Sequence, residues 1–176
     1  MALAWFAGRY PIGPFIEVRE PDEEQRRQLI ESIGGIAVRL RQAVEGAGAE
    51  RLNAPYRPGG WTVRQVVHHL ADAGMNAYIR FKRGLTEDRP IAGTFREDLW
   101  AELNDYSETP VEVSIMLLEA LHVRFAILLT RMQPAEFQRS VTSPTHGAMT
   151  LDAALQRYVW HAQHHIAQIN SSIYRK

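Results

Sequence analysis

A chain of 176 residues with 20 basic and 20 acidic side chains is large enough for one core and has no net field to gather nucleic acid or an anionic membrane, so a single domain over 1–176 is expected. It contains no cysteine, which excludes disulfides, thiolate metal ligands and a cysteine nucleophile, and leaves any metal to nitrogen and oxygen donors. Arg9 and Pro11 break the apolar N-terminus, which therefore lacks a signal-peptide core; with no stretch expected to reach the roughly 20 apolar residues of a membrane span, a soluble cytoplasmic protein is the expectation.

Helical periodicity predicts four long helices over residues 22–47, 62–84, 110–132 and 150–172. The first ends in Gly46-Ala47-Gly48, because glycine takes the left-handed conformation that closes helices. Asn53 to Gly60 is dense in breakers and reads as loop. The second helix opens on Thr62-Val63-Arg64-Gln65 and the third on Thr109-Pro110-Val111-Glu112. Both have the spacing of a capping box, and Pro110 is expected at the first helical position, where its missing N–H costs nothing. Between helices two and three, Phe95, Leu99, Trp100 and Leu103 mark a short amphipathic helix. The connection from Gln133 to Met149 holds Pro134, Pro144 and Gly147, with a brief extended piece over 139–142. The sum is an all-α four-helix bundle with two longer crossovers and a short extra helix between helices two and three.

Nothing in the chain has the spacing of a nucleophile system, a nucleotide cradle or a nucleic-acid surface with basic and aromatic residues interleaved. Histidine carries the chemistry. His161 and His165 stand at i and i+4 on one helix face, and His69 on helix two offers a third imidazole. At about 100° per residue, His69 falls roughly 85° from the middle of its helix's apolar stripe and His68 almost opposite, so His69 is expected to turn inward and His68 toward solvent. On helix four His165 lies about 60° and His161 about 100° from the stripe centre, with His164 near 160°. Three imidazoles from two helices make the trigonal face, with positions left open, on which catalytic zinc sites are built. Periodicity alone does not bring the two helices together. The residues between His161 and His165 lack the glutamate base of a zinc-protease helix.

The tract PYRPGGWTVRQVVHHLADAGMNAYIRFKRGLTED, the N-terminal PIGPF, the segment LLEALHVRFAILL and the closing YVWHAQHHIAQI together resemble the YfiT branch of the DinB-like superfamily, in collinear blocks over almost the whole chain. The resemblance implies a DinB/YfiT-like four-helix bundle that forms homodimers and holds one divalent metal per chain, zinc or nickel, through three histidines of helices two and four. The matching positions are His69, His161 and His165. The histidine usual after HHLADS is Gly74 here, so any role of that position is not carried over. The resemblance further implies a metal-dependent hydrolase, or transfer of a low-molecular-weight thiol such as bacillithiol or mycothiol onto a small-molecule electrophile. The alternative is a non-catalytic bundle protein that binds a metal or ligand.

Other residues read two ways. Asp72 either orients an imidazole N–H or is a solvated carboxylate. Arg80 either receives a substrate carboxylate through its planar fork or belongs, with Lys82 and Arg83, to a basic last turn favoured by the helix dipole. Trp61 and Trp160 pack near the site or serve the core; His122 reads as structural, and His146 lies in a Pro-Gly loop. Neither a general base nor a substrate pocket is legible.

Overall fold

The computed structural model describes residues 10–144 and 147–173; His146 lies outside them. Helix α1 (Glu23–Val44) starts at Asp22, whose side chain accepts from the Gln25 N–H while the Gln25 side chain accepts from the Asp22 N–H. It closes where expected, with Gly46 at φ +69°, a value glycine adopts without steric cost. After the single turn α2 (Ala49–Leu52), α3 (Val63–Thr86) opens with the predicted capping box of Thr62 and Gln65.

The expected amphipathic helix is two short pieces, α4 (Glu97–Trp100) and α5 (Asn104–Glu108). The chain turns between them, so Ala101 and Tyr106 are buried and Leu99 and Leu103 are exposed. Helix α6 (Val111–Thr130) corrects a second expectation. Pro110 is the N-cap, with extended ψ of 138°, and no side chain caps the helix. The helix starts one residue later than the capping box requires, which leaves the Thr109 hydroxyl out of register with the third amide. The single turn α7 (Pro134–Phe137) leads to a hairpin of β1 (Ser140–Ser143) and β2 (Gly147–Thr150), registered Ser140 to Thr150 and Ser143 to Gly147. Helix α8 (Leu151–Ile173) ends the description.

The four long helices form a ring in which α1 and α3 each pack against both α6 and α8. Helices α1 and α3, successive long helices in the chain, therefore stand diagonally opposite, and α3 lies beside α8. A continuous core fills the ring, with Ile36, Leu40, Leu70, Phe81, Phe125, Leu155 and Ile169 essentially inaccessible. Across the α1–α8 edge, Arg26 grips the buried carboxylate of Asp152 with two bonds of 2.8 and 2.9 Å. A bidentate pair of this kind fixes geometry as well as adding energy.

Helix α6 also corrects the membrane expectation. Its 20 residues have a mean hydropathy of 1.8, long and apolar enough to cross a membrane by length and composition. One face packs on α1 and α3 through Ile115, Leu118, Phe125 and Leu129. The other leaves Met116, Val123 and Ile127 exposed.

Candidate metal centre

Because α3 and α8 are neighbours, their histidines meet. His69, His161 and His165 each present a nitrogen within 4.8 Å of the other two. Nε2 of His69 and Nε2 of His161 are 3.2 Å apart. Two nitrogens on a tetrahedral metal at bonds of about 2.0–2.1 Å stand about 3.3 Å apart, so this spacing fits a shared ion. No carboxylate joins the set among the described residues.

The environment keeps these imidazoles neutral, the form that ligates. Burial first, and then the proximity of the His165 imidazole, pushes His69 down to about 3. Burial, with His69, His164, Arg157 and Arg80 adding positive field, takes His161 to about 3. His165 is lowered well below its ordinary value, again mainly by burial.

Gln168 makes opposite bonds to His165 and His164 on α8. Its Oε1 accepts from Nδ1–H of His165 at 2.8 Å, leaving Nε2 of His165 bare. Its Nε2–H donates to Nε2 of His164, also at 2.8 Å, occupying that nitrogen. His164 is not turned to solvent as its wheel position suggested. It is buried, stacked on Trp160 at 5.0 Å and covered by Tyr10 at 5.7 Å. His68 is likewise buried, 2.7 Å from Ser114 Oγ of α6. In both cases a neighbour covers the arc that the helix's own stripe does not. Both still lie outside the converging set.

Asp72 does not orient a cluster imidazole; it accepts the hydroxyl hydrogen of Tyr106, and Nδ1 of His69 is buried without a partner. Trp61 does pack at the site, with its ring 4.8 Å from His69 and stacked on His165 at 6.4 Å. His122 is structural, bonded to the Tyr158 hydroxyl in the core. Beside it, a Cβ on Gly74 would come within 2.7 Å of Leu118 and 3.1 Å of the Tyr158 oxygen, so this chain has no room for an imidazole there.

The cluster opens into a cleft of about 360 Å³ whose walls include Tyr56, Arg57, Trp61, Glu97 and Trp160. Glu97 is its one carboxyl group among the described residues, held above the ordinary carboxylate range by partial burial and by Asp98. Neither Glu97 nor Gln168 stands out as a site residue in the sequence. Gln168 left a signal in its i+3 spacing from His165, but Glu97 sits on a crossover whose path the sequence does not specify.

The family model of the DinB superfamily matches residues 37–169. A Geobacillus thermodenitrificans protein provisionally named a metal-dependent hydrolase is 49% identical over 169 residues, covering 96% of this chain and 95% of its own. A Bacillus mycoides protein of the same provisional name is 44% identical over 163 residues, covering 93% and 94%. The solved structure of YfiT from Bacillus subtilis, described in equally provisional terms as a metal-dependent hydrolase with an unusual four-helix bundle topology, is also similar. It matches with a TM-score of 0.90 at 43% identity, over 93% of this chain and 94% of that one.

Proposed function

The chain belongs to the DinB superfamily, and from that footing we propose that it is a metal-dependent enzyme in which His69, His161 and His165 hold one divalent ion, zinc or nickel. The reaction is activation of water or of a low-molecular-weight thiol toward a small-molecule substrate. The convergence of three neutral imidazoles with no closing carboxylate among the described residues carries this reading. When bound, the ion supplies Lewis acidity, which lets a water or thiol act as a nucleophile at neutral pH. The protein's own groups do the rest. Gln168 fixes His165 in the tautomer with a bare Nε2, and the Trp61 ring against His69 and His165 restricts water around them. Glu97 offers a carboxyl group at the cleft wall that can take up and return a proton.

The names of the relatives favour hydrolysis. The test is metal analysis of the purified protein, then a panel of esters, amides and thiol-plus-electrophile pairs with loaded and stripped protein. Metal-dependent cleavage without thiol supports the hydrolase, and turnover only with thiol supports the transferase. Stoichiometric metal with no turnover anywhere favours a non-catalytic binding protein.

The exposed apolar face of α6, with Val123 60% and Ile127 62% accessible, supports a homodimer, since large contiguous apolar patches mark interaction surfaces. Sedimentation of Ile127→Glu is expected to show monomer where the parent is dimeric.

A further inference from the structure

Three turns along α3 from His69 stands Arg80, whose surroundings set it apart from the other arginines of that helix. Arg64 is held by Asn53 and the Thr109 carbonyl, and Arg83 by Glu87 at 2.8 Å. Arg80 has no ion pair or hydrogen bond among the described residues, and its Nε is buried without a partner. Burial lowers its pKa, and so does a second cation, Arg157. Arg157 is no counter-charge, and among the described residues it has no ion pair; its guanidinium lies over the Phe15 ring at 4.5 Å. A half-buried guanidinium with an inaccessible, unpartnered Nε and a second cation acting on it is unfavourable until an anion arrives.

Space for that anion is present. Arg80 lines a cavity of about 420 Å³ with Thr94, Phe95, Glu97, Asp98 and Ser143. Asp98 is neutralised by Arg96 at 2.6 Å. Glu97 lines the histidine cleft as well, so the two hollows share a wall. Phe95 forms part of that wall, its ring 6.0 Å from the ring of His69.

We propose that Arg80 is the anion-binding residue of the site, receiving a carboxylate of the small-molecule substrate in the cavity beside the histidine cleft. A planar guanidinium matches a carboxylate with two parallel hydrogen bonds, and Arg157 adds positive potential behind it. The substrate class is then a carboxylate-bearing small molecule whose reacting group lies beyond the Phe95 and Glu97 wall. The position of that reacting group rests on the metal-enzyme reading, whereas the anion site rests on Arg80's surroundings alone.

Succinate is the probe, titrated against metal-loaded and metal-stripped protein with the melting temperature as readout. A saturable rise is expected in both forms, with none from the uncharged dimethyl ester. Arg80→Met is expected to weaken succinate about tenfold or more, the loss of one charge-assisted pair. Without succinate, Arg80→Met is expected to melt no lower than the parent, because it removes a charge with no partner. Equal succinate affinity in Arg80→Met overturns the proposal, and so does a clear fall in its melting temperature without ligand, which would make Arg80 structural. If Arg80→Met does not fold, Arg80→Lys decides. It keeps the charge but loses the fork, and unchanged affinity there overturns the proposal. Protein that binds succinate through Arg80 but takes up no metal sinks the metal reading and leaves this one standing.

Discussion

The amide oxygen of Gln168 accepts the Nδ1–H of His165 at 2.8 Å, and through that bond a residue outside the cluster decides which nitrogen of His165 faces His69 and His161. Partners of this kind fix the tautomer and orientation of a metal-binding imidazole, and their loss typically lowers metal affinity about 10- to 100-fold. Gln168→Leu is therefore expected to fold, yet to bind zinc or nickel weaker by that factor in a chelator competition. Unaltered affinity would mean that His165 keeps its orientation without help.

The set of three makes a second prediction. Alanine at His69, His161 or His165 is expected to abolish stoichiometric metal binding. His68→Ala is expected to bind metal fully but to lose stability by about 1–3 kcal/mol, because it opens a buried site and strands the Ser114 hydroxyl. Metal content by atomic emission and urea unfolding of the same samples separate the two effects. Loss of metal in His68→Ala would show the wrong member of the pair in the site.

Acid should destabilise the metal-stripped protein well before its carboxylates titrate. Burial holds His122 at about 4 and His69 and His161 at about 3 in the folded chain, whereas in the unfolded chain each takes a proton near pH 6.5. Between these values the unfolded state binds more protons. Stability is thus full above about pH 6.5 and falls as pH drops toward 4, by up to about 1.4 kcal/mol per pH unit for each such group. Urea midpoints measured from about pH 7.5 to 5 test this, and a flat profile would contradict the neutral buried state.

Gly74 yields a prediction opposite to helix propensity. An exposed glycine to alanine change in a helix gains up to about 1 kcal/mol. Here the new methyl would meet Leu118 at 2.7 Å. Leu118 has no exposure through which to retreat, and overpacking of a filled core costs about 1–3 kcal/mol. Gly74→Ala is expected to lower the melting temperature by a few degrees; a rise would show that Leu118 and Tyr158 yield.

Much of this protein is written locally. The extents of the four long helices, the Thr62 cap and the Gly46 stop were readable because each depends on residues within one or two turns. The inward edges carrying His69, His161 and His165 were readable for the same reason, since an angle from a stripe is a property of one helix. The ring order was not, and it alone carries His69 to a residue 92 positions away. Nor was the burial of His68 and His164. A helix in this bundle touches two neighbours, so its buried arc is wider than its own apolar stripe. Ser114 of α6 and Tyr10 of the N-terminal segment close over faces that the sequence assigned to water. Arg80 shows the same limit, because a charged last turn and a half-buried cation beside a cavity look identical until the surrounding elements are in place.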